Sequence, residues 1–310
     1  MSHRAPSPRS VLGIDIGGTK TAIGIFDDGG RLVAESRLPT PRGDPLTALP
    51  PVVAEARRLT SGAAPAAVGI DLPAVVHDGI VDWAAWSFPG WDGFPLGTYW
   101  CDALGLPAVV DFDGYAAALG EFWQGAARGC ADAVVVIVGT GVGAGVIHEG
   151  QLYRGRTGVA GAVGWTRFPD ADGRLGPPME DVASGTAILR RARDARPDGD
   201  ERYATTRAVF DAAAKGDQTA ERVVREAVAA LASVVGSIAS TLAPEIIVLG
   251  GSVGSRPDVV RSVRGLVLET AQPHTTRSLT ITRAALGARS SLYGAGYLAH
   301  GILAQEKECS

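Results

Sequence analysis

Cysteine is scarce in this chain: 310 residues hold three, Cys101, Cys130 and Cys309. The odd number and the spacing exclude a disulfide framework and a CxxC pair, and a reducing, cytoplasmic setting is the simple expectation. An excess of positive charge is missing too. Lys and Arg number 29 against 33 Asp and Glu, a net charge of -4, so no basic stripe for nucleic acid is expected. No apolar run reaches the roughly 18 residues of a membrane span. The first ten residues are not followed by an apolar stretch of signal-peptide type, because Val11–Ile16 is broken by Gly13 and Asp15. Tandem repeats and low-complexity segments are absent. What is present is 46% hydrophobic and 20% charged residues, enough apolar side chains for real cores and too few charges for a disordered chain. The length suits two compact lobes.

The chain opens as a strand meander: Val11–Ile16, a tight turn at Gly17-Gly18, Thr19–Phe26, a hairpin turn at Asp27-Asp28-Gly29-Gly30, then Arg31–Leu38. Leu46–Leu59 has helical spacing, Ala67–Ile70 and Ala108–Val110 read as short strands, and Leu96–Leu104 reads as a helix. Tyr115, Leu119, Phe122, Trp123 and Ala126 share one helical face. The pattern then restarts: the apolar run Ala133–Val138, a glycine turn, and a strand over Ala144–His148. Helical patterns at Ser184–Ala195, Tyr203–Ala214 and Asp217–Leu242 precede a buried strand at Glu245–Leu249. Pro257–Thr270, Leu279–Thr282 and a last helix near Ser291–Leu303 complete an α/β chain. The repeated strand, glycine turn and strand suggests two related lobes.

Four motifs carry chemistry. In Gly13-Ile14-Asp15-Ile16-Gly17-Gly18-Thr19-Lys20, the glycines Gly17 and Gly18 let the backbone approach a phosphate chain, with N–H groups turned toward it. Thr19 adds a hydroxyl and Lys20 a charge. Asp15, at a strand end, suits hydrated Mg²⁺, which takes one or two carboxylates plus water and phosphate oxygens. An ordinary hairpin turn is the alternative, since the spacing is neither a Walker loop nor GxGxxG. In the second motif Gly139, Thr140, Gly141 and Gly143 follow a buried strand; so much glycine is costly in entropy and fits either phosphate contact or a tight turn with a bulge. The third, Gly250-Gly251-Ser252 after a strand, can let adenine and ribose lie against backbone, or simply end a strand. In the fourth, Asp113 begins an amphipathic helix, where a carboxylate serves as an N-cap, as the general base for an attacking hydroxyl, or as both.

Taken together, from about Val11 to Leu303, these motifs resemble the ROK family (repressor, open reading frame, kinase), which includes bacterial glucokinases and N-acetylmannosamine kinases. Gly13–Lys20 resembles its first phosphate motif, Gly139–Gly145 the second and Pro244–Ser252 the adenosine motif. Ala116–Glu121 is similar to the stretch after the family's catalytic aspartate, which places that role on Asp113. Glu180, ahead of Ser184-Gly185, resembles a glutamate that contacts the sugar. The resemblance implies a duplicated, two-lobed actin-like ATPase fold (ribonuclease H-like): a small lobe over residues 1–114 closed by a helix within 288–310, and a large lobe over 115–287. ATP, Mg²⁺ and the acceptor would occupy the cleft between them. A homodimer enters by the same analogy.

The departures from the pattern fall on the acceptor side. Phe112 stands where the family has Asn before the catalytic Asp, and Tyr115 where it has Asn two residues after. Ala162 and Trp165 replace a sugar-binding Glu and His. Ser87 replaces an Asn, and Ala74 a Gly. Between Trp165 and Glu180 there is neither Cys nor His, so the family's structural zinc, which needs about four N/S ligands, is not expected. The implied substrate-binding set is thus Ala74, Ser87, Phe112, Asp113, Ala162, Trp165 and Glu180. Glucose hydroxyls left unpaired there would cost about 1–3 kcal/mol each. The resemblance then favours an ATP-dependent kinase for a primary hydroxyl of a C7-cyclitol (valiolone-type) or an aminosugar in secondary metabolism. A broad-specificity glucokinase or hexokinase and a non-catalytic sugar sensor are the alternatives. A DNA-binding repressor is not expected, because only ten residues precede the first strand. The scattered His77, His148, His274 and His300 read as structural or exposed, and the tryptophans around Trp91 as packing.

Overall fold

A computed structural model describes residues 10–84, 88–169, 172–196 and 202–308. The chain divides into two compact units. The first comprises Met1–Arg128, Arg154–Val159 and Arg289–Ser310; the second comprises Gly129–Tyr153 and Ala160–Ala288.

The sheet of the first unit uses β1 (Val11–Ile16), β2 (Lys20–Phe26), β3 (Leu32–Pro39), β4 (Val68–Leu72) and β7 (Ala108–Phe112). Between β4 and β7 lies a separate hairpin, β5 (Val75–His77) and β6 (Ile80–Trp83). The strand order is β3-β2-β1-β4-β7, antiparallel from β3 to β1 and parallel from β1 to β7. β1 and β4 are near-continuous apolar runs, as strands covered on both faces must be. Leu12, Ile14 and Ile16 join a core with Leu49, Val52 and Val53 of the Pro45–Leu59 helix and with Leu96 and Trp100 of the Leu96–Leu104 helix. On the other face, the C-terminal helix Ser290–Glu308 packs on β1, β4 and the helix Asp113–Gln124. Gly69 makes this approach feasible, since a Cβ there would run into the backbone of Ala295. Glu121 is fully buried and ties the two helices together. One of its oxygens accepts from Ser290 Oγ at 2.7 Å and the other from Ala126 N at 2.8 Å. A buried carboxylate is tolerable when so satisfied.

These contacts correct the boundary expected at residue 114. The Asp113–Gln124 helix belongs to the first unit, whose leading segment runs to Arg128, because the apolar face of that helix is buried on the C-terminal helix.

The second unit repeats the layout with β8 (Ala133–Val138), β9 (Val142–His148), β10 (Gln151–Tyr153), β13 (Ile246–Gly250) and β14 (Thr280–Arg283). A small sheet of β11 (Arg167–Pro169) and β12 (Leu175–Pro178) stands apart. The order is β10-β9-β8-β13-β14. Its longest helix, Gln218–Leu242, is long and apolar enough to cross a membrane by composition. Here it buries Val223, Leu231, Val234 and Val235 in the core with Val263 and Val267 of the Pro257–Thr270 helix, the pattern of an interior helix of a folded domain.

Candidate functional site

Three aspartates stand in one row across the first sheet. Asp15 on β1 is in register with Asp71 on β4, and Asp71 with Asp111 on β7. In-register residues of parallel strands share a face, so the three carboxyls crowd together near the strand ends. Asp113 follows on the helix that begins one residue after β7. Asp71 is fully buried, and among the described residues no N–H or hydroxyl donor reaches either of its oxygens. Two carboxyls can bond each other only if one keeps its proton. Burial, reinforced by the charge on Asp15, holds Asp71 well above the usual carboxylate range, which favours the protonated form that a bond to Asp15 would need. Burial first, and the charge of Asp113 second, push Asp15 up to about 7. Burial pushes Asp113 up to about 6, against a hydrogen bond from the Gly114 backbone.

Asp113 is not the N-cap of its helix. Phe112 holds that position, and its side chain makes no capping hydrogen bond. The capping alternative therefore lapses, and the Asp113 carboxylate is left for other work. Phe112 and Tyr115 meet edge to face at 5.5 Å beside it. Arg154 neutralises Asp111 through a 2.6 Å ion pair and lies over the Tyr115 ring.

The turn between β1 and β2 is Gly17-Gly18-Thr19. Gly17 N donates to Lys20 O at 3.1 Å, while Thr19 and Lys20 are exposed. In the second unit the turn between β8 and β9 is Gly139-Thr140-Gly141, closed by Gly139 N donating to Gly141 O at 2.9 Å. Glu180 lies against Gly141 and accepts from Val142 N at 2.7 Å, so one of its oxygens is spent on bracing this turn. Gly143 is within β9. The segment with Ala162 and Trp165 packs on β9 through Ala144 N donating to Gly161 O at 2.9 Å, and Gly164 sits against Val142 and Glu180. Ala162 is exposed and Trp165 is 59% exposed. β13 ends at Gly250, and Gly251 (φ +78°) opens a short helix where a Cβ would strike the Val138 carbonyl; Ser252 is exposed.

The first unit thus brings together Asp15, Gly17, Gly18, Thr19, Lys20, Phe112 and Asp113. The second brings together Gly139, Thr140, Gly141, Gly143, Ala162, Trp165 and Glu180, with Gly250–Ser252 at the end of the neighbouring strand. Ala74 is a correction. It is 3% exposed and belongs to the first unit's hydrophobic core, so its methyl packs inward rather than lining a site. Ser87 lies outside the described residues. Sequence reasoning missed Asp71 altogether. Among the described residues no group of three or more His, Cys, Asp or Glu stands ready for a metal. A single carboxylate, Asp15, does suit a Mg²⁺ that keeps its water and reaches phosphate oxygens.

The family profile described as "ROK family" matches residues 11–302. The bifunctional enzyme NanE/NanK of Brucella melitensis is 33% identical over 95% of this chain, which spans 55% of that relative, about half its length. The N-acetylmannosamine kinase of Salmonella agona is 30% identical, covering 96% of this chain and 98% of the relative. Among solved structures, a ROK family glucokinase from Streptomyces griseus in complex with glucose and AMPPNP is 29% identical with a TM-score of 0.76, covering 94% of this chain and 99% of the other.

Proposed function

The chain belongs to the ROK family of actin-like fold, and on that premise we propose that it is an ATP-dependent kinase for a primary hydroxyl of a sugar-like polyol, with a C7-cyclitol or an aminosugar as the favoured acceptor. One observation carries the reading: Asp113, freed of capping duty, stands in the same unit as the first glycine turn and the Asp15–Asp71 pair. A carboxylate raised to about 6 is ionised at neutral pH and still basic enough to take a proton from a hydroxyl as it attacks.

The roles divide by unit. In the first, Asp113 orients and deprotonates the alcohol, and the Gly17–Lys20 turn holds phosphate. In the second, the Gly139–Gly143 turn holds phosphate and the Gly250–Ser252 strand end takes the adenosine. Mg²⁺ beside Asp15 would neutralise charge on the phosphates. Positioning and charge neutralisation supply most of the acceleration in such transfers.

The acceptor assignment rests on the rings of Phe112 and Tyr115 beside the base and on Ala162 and Trp165 in the second unit. An amide replaced by Phe112 offers no bond to a glucose hydroxyl and adds apolar wall. A carbocycle, which lacks the anomeric oxygen, asks less of such a wall. The test is ADP release with Mg·ATP across glucose, aminosugars and cyclitols. The reading expects a kcat/KM for a cyclitol or aminosugar at least about tenfold above glucose, one hydroxyl's worth of discrimination. Preference for glucose would leave a broad-specificity hexokinase, and no Mg·ATP binding would leave a sugar sensor.

A further inference from the structure

A backbone turn that binds an anion must do two things at once: point its N–H groups at the ligand and dispose of its carbonyl oxygens elsewhere, because a carbonyl facing a phosphate repels it. Both glycine turns solve the second problem in the same way. In the first, every carbonyl has a donor. Thr40 Oγ1 donates to Gly17 O at 2.6 Å, Arg42 Nη2 to Gly18 O at 2.9 Å and Thr40 N to Thr19 O at 3.1 Å. In the second, Gly185 N donates to Gly139 O at 2.7 Å, Thr186 Oγ1 to Thr140 O at 3.0 Å and Gly139 N to Gly141 O at 2.9 Å. The N–H groups of Gly18, Thr19, Thr140 and Gly141 engage no acceptor among the described residues.

The clamps are themselves held. Thr40 is 7% exposed and its hydroxyl also meets the buried Thr21 hydroxyl at 3.0 Å. The segment after it is pinned by Trp91 Nε1 donating to Gly43 O at 3.0 Å. Gly185 and Thr186 open the Gly185–Asp194 helix, whose N-cap Ser184 accepts from Ala187 N. Arg42 adds something its counterpart Thr186 lacks, a positive charge at the mouth of the turn.

From this we infer that Thr40, Arg42 and Thr186 are positioning residues for phosphate recognition: they saturate the carbonyls of the two turns from behind, so that each turn presents only N–H groups to the nucleotide's phosphate chain. The inference rests on the phosphate roles given to the turns above. A freed carbonyl would let its peptide rotate, and the loss would fall on phosphate and spare adenosine.

Calorimetric titration of the full-length protein with Mg·ATP and, separately, with adenosine tests this. Thr40→Val and Thr186→Val should each weaken ATP about tenfold, the value of one hydrogen bond worth about 1.4 kcal/mol, with adenosine affinity unchanged within about twofold. Thr40→Ser and Thr186→Ser, which keep the hydroxyl, should restore ATP binding. Arg42→Gln keeps a donor without the charge and should lose less than Arg42→Ala. Thr186 is exposed, so its variants test the second turn even if Thr40→Val fails to fold. If wild-type protein prefers ATP to adenosine and the Val variants keep that preference in full, the clamp inference is overturned while the kinase reading stands. If wild-type protein shows no preference for ATP over adenosine, the phosphate roles of the turns fall, and the inference with them.

Discussion

The two glycine turns are built alike and surrounded differently. Each joins the first two strands of a five-stranded sheet of the same order, and each has its carbonyls covered from behind. The next-to-last residue of the strand before the turn is Asp15 in the first unit and Ile137 in the second. Their partners on the adjoining parallel strand are Asp71 and Gly250. One unit therefore carries a crowded set of carboxyls where the other carries an aliphatic side chain and a glycine. On the proposed reading, the repeated scaffold carries the phosphate-holding backbone twice and the acid–base groups once. Turnover should then be sensitive to the carboxyl side chains of the first unit, while substitutions at the glycine turn of the second should act through nucleotide affinity.

The largest expected effect comes from removing the base. Asp113→Asn should cut turnover by about 10²–10⁴, the usual range for general-base loss, with Mg·ATP affinity within about threefold of wild type by titration. Near-normal turnover in that variant would erase the asymmetry between the units. Next is pH. Because Asp113 must be ionised to accept a proton and is raised to about 6, kcat/KM should fall about tenfold per unit as the pH drops below roughly 6. A profile flat to pH 5 would point to another base.

The smallest effect sharpens the comparison through stability. Burial raises the pKa of Asp71 in the folded unit and favours its neutral form, while in the unfolded chain it ionises near the ordinary value of about 3.9. Its folded pKa is raised, so its favourable contribution is lost as pH rises from about 4 toward the folded value, by up to about 1.4 kcal/mol per pH unit. Asp71→Asn keeps a donor for Asp15 without a proton to take up. Thermal unfolding at pH 5.5 and 8.5 should show a decline in stability that is about 1–3 kcal/mol smaller in the variant. An unchanged decline would mean that Asp71 is ionised in the fold.

Most of the scaffold was legible because burial on both faces writes itself as apolar runs. The strand Val11–Ile16, the strand Ala133–Val138 and the helices Leu96–Leu104 and Pro257–Thr270 have the bounds their patterns imply. The hairpin Val75–His77/Ile80–Trp83 was passed over although its signal is present: Asp78 and Gly79 both take positive φ, 47° and 75°, as a two-residue hairpin turn requires. The motif residues were legible by type, but their partners were not. Asp71 is the one charged residue of an otherwise apolar strand, and nothing local marks it; its role exists only through register with Asp15. Thr40 and Arg42 follow β3 as ordinary loop residues and meet the first turn only after folding. The wall residues misled in the opposite way, since Ala74 holds an expected position yet turns its methyl into the core.

The kinase reading requires that this protein esterify an alcohol rather than hydrolyse or merely sense nucleotide. Phosphorus NMR of wild-type protein with Mg·ATP and a panel of cyclitols and aminosugars tests it most directly. The expected result is a new phosphomonoester signal, coupled to the two protons of a CH₂ group, growing in step with ADP. ADP accompanied only by inorganic phosphate, with no ester on any polyol bearing a primary hydroxyl, would contradict it.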